Sequence, residues 1–321
     1  MLCYARKKHF ESEAIRILPI CVQSGGLEDL FGVDEAYRLI SAAGFQGVDA
    51  NVNHLLMPQD IRDRKRPAAF TLSGEASLAY FRPWKEAAEK YGLINEQAHA
   101  PYPSCLPEDD EYNLFLMEAL KKTIAGCACI GCRRLIVHPF FMPYDHQVSP
   151  QEEWTRNIRD YSALIPAAKE HHVTICLENM FMTRMGKRYG ACCSDLHLAC
   201  DYIDALNAIA GERVFGFCLD TGHLLLTGQD PQNAVALLGD RLEALHIHDN
   251  NGQEDQHLAP YMGVLDWDRF VAGLRDAGYR KPLSFETFNV IRRFDPTLAP
   301  YALRLIAETG KMFARRLEGE A

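Results

Sequence analysis

No stretch of this chain approaches 18 residues without a charged side chain, so the sequence offers no transmembrane helix. Low-complexity tracts and Pro-, Gly- or Ser-rich linkers are also missing. An apolar content of 48% against 24% charged residues excludes disorder and collagen-like repeats. Positive charge is in deficit: 34 Lys and Arg face 43 Asp and Glu, a formal net charge of −9. Such a surface repels phosphodiester backbones on average and makes nucleic acid an unfavoured partner. The opening MLCYARKKHFESEAIRI has basic groups but no uninterrupted apolar core, which argues against a secretory signal. The eleven cysteines are odd in number and lack framework spacing, so reduced thiols and a cytoplasmic location are expected. Cys127, Cys129 and Cys132 have no fourth ligand close by and read as small buried side chains at a helix end. No glycine-rich phosphate loop follows the first apolar run, since SGG at 24–26 is too little for a dinucleotide fingerprint. No nucleotide cofactor is therefore expected.

What the chain does have is alternation. Short apolar or β-branched runs occur at 15–22, 47–52, 93–99, 134–138, 173–178, 214–220, 242–248 and 283–286. Between most of them lie stretches of helical period at 33–43, 76–91, 110–130, 152–171, 196–210 and 267–277. Gly44, Gly92, Gly131, Gly211 and Gly278 stand where a helix should close before the next strand. Strand and helix in strict alternation imply a parallel sheet, and eight such units imply closure into a (β/α)8 TIM barrel. A chain of 321 residues suits one such domain over 1–321.

Splitting the strands into faces is informative, because side chains alternate along a strand. Val173, Ile175 and Leu177 oppose Thr174, Cys176 and Glu178; Phe215, Phe217 and Leu219 oppose Gly216, Cys218 and Asp220. Leu245 and Ile247 oppose Ala244, His246 and His248; Leu283 and Phe285 oppose Ser284 and Glu286; Leu135 and Val137 oppose His138. The large apolar face should pack on helices and the small or polar face should line the barrel. Glu178, Asp220, His246 and Glu286 then meet at the carboxyl ends of the strands, where barrel active sites form. Three converging carboxylates repel one another unless a cation intervenes, so the quartet reads as ligands for Mn²⁺, Mg²⁺, Co²⁺ or Zn²⁺. His99, His138, His223, Asp255 and His257 lie near enough to serve a second metal or the substrate, and His248 and Asp249 could orient ligands.

The segments AHAPY, IVHPF, LENMF, LDTGHLLLTGQD, LHIHDNNGQEDQHLAPYMGVLDW and LSFETFN resemble the xylose-isomerase-like barrel superfamily, which holds sugar isomerases and epimerases and the type-IV apurinic endonucleases. The resemblance implies that Glu178, Asp220, His246 and Glu286 match the single-metal ligands of the ketose epimerases, where the two glutamates also move the proton and a residue placed like His223 touches substrate. It also implies that His99, His138, Glu178, Asp220, His223, His246, Asp255, His257 and Glu286 match the nine ligand types of the nuclease's trinuclear zinc cluster. The loop after the fifth strand departs from the nuclease, reading Glu178-Asn179-Met180-Phe181-Met182.

Two chemistries follow for one site. In the isomerase or epimerase, the substrate is a sugar, a sugar phosphate or a polyol-derived keto compound. Glu178 removes a proton beside a metal-bound carbonyl, giving an enediolate, and Glu286 returns it. Trp267, Tyr261, Phe140 and Phe181 could wall the sugar's C–H face. Arg184, Lys187 and Arg188 could clamp a phosphate or carboxylate, or in the nuclease track a DNA backbone. A sugar-binding or assembly subunit is the non-enzymatic alternative. The loop at 53–73 should shape substrate choice, and exposed aromatics around 70–84 would suit a homodimer.

Overall fold

The computed structural model describes residues 18–140 and 148–319, so positions 15–17 of the first apolar run and the basic opening segment lie outside the described residues. Among the described residues there are ten strands: β1 (Ile20–Gln23), β2 (Gly47–Ala50), β3 (Ile94–His99), β4 (Arg134–Ile136), β5 (Thr174–Glu178), β6 (Phe181–Arg184), β7 (Lys187–Gly190), β8 (Phe215–Asp220), β9 (Leu242–His246) and β10 (Leu283–Phe285). Eight of them form one parallel sheet in the order β10-β1-β2-β3-β4-β5-β8-β9. The ring is closed by a parallel bridge between Ile247 and Phe285, with Ile247 N donating to Ser284 O at 2.8 Å and Glu286 N to Ile247 O at 3.1 Å. The remaining two, β6 and β7, make an antiparallel hairpin directly after β5.

The two-faced reading of the strands holds. Ile175, Leu177, Phe215, Phe217, Leu219, Leu245, Ile247, Leu283 and Phe285 belong to the main core under the helices. Ile136, Cys176, Cys218 and Ala244 form a separate buried cluster of smaller side chains within the ring. Small residues inside and large ones outside let the barrel close without a void.

Helices Gly25–Ala43, Arg82–Tyr91 and Leu196–Ala210 end on Gly44, Gly92 and Gly211 in the left-handed region, as their positions suggest. Two expected helices are broken in two. The stretch 152–171 is Pro150–Ser162 followed by Ile165–His171, and 76–91 is Gly74–Leu78 followed by Arg82–Tyr91. Pro166 and Pro83 each lack an amide proton and fit only the first turn of a new helix. The last helix, Ala299–Leu317, packs against β1 and β10.

The thiol expectation also holds: Cys127 and Cys132 are buried, Cys129 is partly so, and every described cysteine is free. The expected exposed aromatics at 70–84 are a correction. Phe70, Phe81 and Trp84 are buried, with Phe70 and Phe81 packed edge to face, and only Tyr80 is exposed. The exposed apolar side chains cluster instead at Tyr261, Met262 and Val264 and at Phe294, Leu298, Tyr301 and Leu305. No helix among the described residues is long and apolar enough to cross a membrane.

Candidate metal centre

The carboxyl ends of the strands surround a cavity of about 410 Å³ lined by Gln23, His99, His138, Glu178, His223, Asp255, His257 and Glu286 among others. Adjacent strands β5, β8 and β9 deliver Glu178, Asp220 and His246, and Glu286 follows β10, so the quartet comes from neighbouring positions around one rim. His246 is wholly buried. Its Nδ1 faces Glu178 Oε1 at 3.4 Å, Glu286 Oε2 at 3.6 Å and Asp220 Oδ2 at 3.8 Å, yet it makes no hydrogen bond. A buried nitrogen without a partner is costly, and three carboxylates around it repel one another. One divalent cation among these four groups relieves both conditions, because ligands of one ion stand at about such separations from each other. The donor set therefore fits a divalent metal.

The electrostatics agree with convergence. Burial opposes ionisation of Glu178, but His246 and His138 outweigh it and hold the carboxyl well below its ordinary value. Burial likewise works against Asp220, and His223 and His248 reverse it. Burial also disfavours a charged His223, but Asp220 and Asp255 push it up to about 10. The same contest, settled by Glu286 and Asp255, puts His257 at about 9. Among the described residues, the positive partners of these carboxylates are imidazoles.

Further ligand-capable groups surround the quartet. His138 Nε2 stands 2.9 Å from Glu178 Oε2, and His99 Nε2 stands 3.5 Å from Glu286 Oε1. His257 Nε2 lies 3.0 Å from Asp255 Oδ2, while His257 Nδ1 donates to the Glu286 carbonyl at 3.1 Å. His223 Nδ1 donates to the Asn179 carbonyl at 2.8 Å, leaving Nε2 toward Asp255 at 3.6 Å. Ligand atoms of Asp220, His223 and His248, and of His248, Asp255 and His257, come within 4.8 Å of one another. All five residues expected at a second metal or the substrate thus reach this cavity.

Four expected substrate contacts do not line it. His248 sits behind Asp220, with Nε2 2.9 Å from Oδ1, and is fully buried, so it holds the Asp220 carboxylate and does not reach the cavity. Trp267 is buried against Phe313 and donates Nε1 to Asp249 Oδ2 at 3.0 Å. Asp249 also accepts from the amides of Asn250, Gly263 and Leu265, and so ties down the chain that carries Asp255 and His257. Arg184 and Arg188 ride on the β6–β7 hairpin outside the cavity lining, where Arg188 reaches Thr183 Oγ1 at 2.6 Å and lies over the Phe181 ring. Tyr261 and Phe140 are also absent from the lining, whereas Phe181 does form part of the wall. From the segment 53–73, Asn53, Met57 and Pro58 contribute.

Several residues were not anticipated. Gln23 donates Nε2 to Glu286 Oε1 at 2.8 Å, and Asn179 clamps the Asp220 backbone from both sides at 2.8 and 2.9 Å. Arg292 lines the mouth but is paired with Asp29 and lies over Phe288. Asp49, fully buried on β2, bonds Gln97 and His99. The face-splitting that singled out the quartet carries the signal for Gln23 and Asp49: Cys21 and Gln23 oppose Ile20 and Val22, and Gly47 and Asp49 oppose Val48 and Ala50.

Comparison with known proteins bears on this geometry. The family model described as a xylose isomerase-like TIM barrel matches residues 37–309. The uncharacterized protein y4fM of Sinorhizobium fredii is 28% identical over 273 residues, spanning 80% of this chain and 81% of its own length. The probable endonuclease 4 of Mycobacterium tuberculosis is 26% identical over 219 residues, spanning 65% of this chain and 79% of its own. Among solved structures, an L-ribulose 3-epimerase superposes with a TM-score of 0.66 at 17% identity, covering 94% of this chain and 97% of its own.

Proposed function

Because the chain belongs to the xylose isomerase-like TIM barrel family, we propose that it is a divalent-metal-dependent isomerase or epimerase of a sugar or polyol-derived keto compound. The observation that carries this reading is the unpartnered, buried His246 Nδ1 facing three carboxylates, two of which are glutamates that also line the cavity. Glu178, Asp220, His246 and Glu286 would hold Mn²⁺, Mg²⁺, Co²⁺ or Zn²⁺. The bound cation would supply Lewis acidity, polarising a substrate carbonyl and acidifying the neighbouring C–H bond.

The chain's own groups divide the remaining work. Glu178 takes the proton from the substrate carbon: its carboxyl stays ionised, and His138 orients its Oε2. Glu286, held by Gln23 through Oε1, returns a proton to the same or the adjacent carbon. Return to the same carbon gives an epimer, and return to its neighbour exchanges aldose and ketose. His223, with Nδ1 committed to a carbonyl, turns Nε2 toward the cavity to hold a substrate hydroxyl. Phe181 offers an apolar wall for the C–H face.

The gathering of His99, His138, His223, Asp255 and His257 around the quartet favours a second reading, an apurinic endonuclease. Against it, Arg292 is the one Arg or Lys in the cavity lining among the described residues, and Asp29 already pairs with it. A metal count on the purified chain, with assays against a panel of ketoses and an abasic-site duplex, separates the two. One Mn²⁺, Mg²⁺, Co²⁺ or Zn²⁺ per chain with solvent deuterium entering a ketose is the expected result. Three zinc ions with strand cleavage would replace the isomerase by the nuclease. Sugar binding without turnover under every metal would leave a binding subunit.

A further inference from the structure

Asp49 takes no part in the proton-transfer scheme, yet two of the site's imidazoles converge on its carboxylate. A register shift between Val48 and Asp49 pairs Asp49 with Gln97, and alternation along β3 puts Gln97 and His99 on the same face. Asp49 Oδ1 lies 3.0 Å from His99 Nδ1. Asp49 Oδ2 accepts from Gln97 Nε2 at 2.9 Å, and His246 Nε2, buried and without a hydrogen bond, faces the same oxygen at 3.5 Å. Gln97 Nε2 also donates to the Leu245 carbonyl at 3.2 Å, so its amide is anchored by two acceptors and fixes the carboxylate oxygen it bonds. The rings of His99 and His246 are stacked, with centroids 4.4 Å apart. Their other nitrogens face the rim: His99 Nε2 toward Glu286, and His246 Nδ1 toward Glu178, Asp220 and Glu286.

A ligating imidazole must be neutral and must present a bare nitrogen, so its single proton has to sit on the other nitrogen. An acceptor behind the ring selects that tautomer and raises the ring's basicity as a ligand. We propose that Asp49 is a positioning residue that holds the proton of His99 on Nδ1 and that of His246 on Nε2, so that His246 turns an unprotonated nitrogen toward the cation and His99 keeps one toward the cavity. One carboxylate thereby serves two imidazoles, one on β3, which pairs with β2, and one on β9, which does not. The inference rests on the reading that His246 and its three carboxylates hold a divalent metal.

Long-range ¹⁵N imidazole spectra of the full chain loaded with Zn²⁺ test it directly. The expected result is an Nδ1–H tautomer for His99 and an Nε2–H tautomer for His246; the opposite tautomer at either ring overturns the inference. Asp49→Asn keeps the shape but offers one acceptor oxygen instead of two. Its affinity for Co²⁺, read by calorimetry, should fall 10- to 100-fold and the visible Co²⁺ bands should change. Glu28→Gln removes another buried carboxylate that backs no imidazole, and should leave both readouts at parental values. Parental Co²⁺ affinity and bands in Asp49→Asn overturn the proposal, and should that variant fail to fold, the tautomers of the parent decide. A parent that binds metal with these tautomers but turns over no sugar defeats the proposed function and leaves the role of Asp49 standing. A parent that binds no divalent cation overturns both.

Discussion

Gly222 is the position where a single added methyl group should reach the site without altering any ligand. It lies in the short helix Thr221–Leu226 that follows β8, directly after the Asp220 N-cap. A Cβ there would stand 2.0 Å from Cε1, 2.5 Å from Nδ1 and 2.7 Å from Nε2 of His248. That ring is fully buried and stacked on His257 at 4.1 Å, so it cannot simply swing aside. Moving it breaks the contact between Nε2 and the Asp220 carboxylate. Overpacking of this kind costs about 1–3 kcal/mol, and losing a hydrogen bond to an ionised group costs about 1.5–3 kcal/mol. Gly222→Ala should therefore lose about 3–5 kcal/mol of unfolding free energy in urea, together with a 10- to 100-fold loss of metal affinity. The cause can be isolated by repeating the substitution in a His248→Ala background. There the space is open and the backbone is helical, so the sign should reverse: Ala should gain up to about 1 kcal/mol over Gly. An equal cost in both backgrounds would refute steric displacement of His248 as the mechanism.

Other perturbations give separate outcomes. Glu286→Gln keeps the packing and the bond from Gln23 but cannot hold or return a proton; deuterium exchange into a ketose should fall at least about 100-fold with the melting temperature nearly unchanged, and full exchange would remove Glu286 from the chemistry. Burial raises Glu28 from 4.5 to about 7 despite hydrogen bonds from Ser24 and Trp84. The neutral form favours the fold, so this contribution is complete below pH 4.5 and is lost as pH rises to about 7, roughly 3 kcal/mol over the interval. The difference in stability between Glu28→Gln and the parent should grow across that window and then stay flat; a constant difference would show that Glu28 ionises freely. Removing divalent cations with EDTA should lower the melting temperature, and restoring metal to 100 times its dissociation constant should return about 2.7 kcal/mol. No shift on chelation would leave His246 Nδ1 without its expected partner.

The parts of this fold that were legible in the sequence are those where one physical rule acts alone. Burial on both faces gives parallel strands near-continuous apolar runs, and alternation then marks which residue of each run faces inward. That is why Glu178, Asp220, His246 and Glu286 could be placed together from chain segments far apart. Asp49 follows the same alternation, but GVDA is four residues long with one polar group, so the signal there is far weaker than in the longer strands that carry Glu178, Asp220 and His246. The β6–β7 hairpin was hidden for a different reason. Its turn is Met185-Gly186, both at positive φ, and a methionine in that conformation is not a residue that sequence reading expects there. The placement of His248 behind Asp220, and of Trp267 behind Asp249, depends on how far the chain turns after β9. Composition and period carry no information about that turn.

The two ends of the barrel solve the same electrostatic problem in different ways. At the amino end, Glu96 and Glu243 are largely buried, and fixed cations meet them: Arg134 reaches Glu96 at 3.2 Å and Glu243 at 3.7 Å, while Arg213 and Lys281 reach Glu243 at 2.8 and 2.9 Å. Burial alone would raise Glu243, but Lys281 and Arg213 bring it below its ordinary value. At the carboxyl end, Asp49, Glu178, Asp220, Asp255 and Glu286 converge, and among the described residues their ion-pair partners are imidazoles with no Arg or Lys. Folding stability alone would favour the first arrangement at both ends, since permanent cations neutralise buried carboxylates over the whole physiological pH range. Imidazoles can give up their charge and become ligands, which guanidinium and ammonium groups cannot do at neutral pH. The carboxyl end is therefore arranged so that its positive charge can be supplied by an ion that enters and leaves, at the end of the barrel where reactive sites are built.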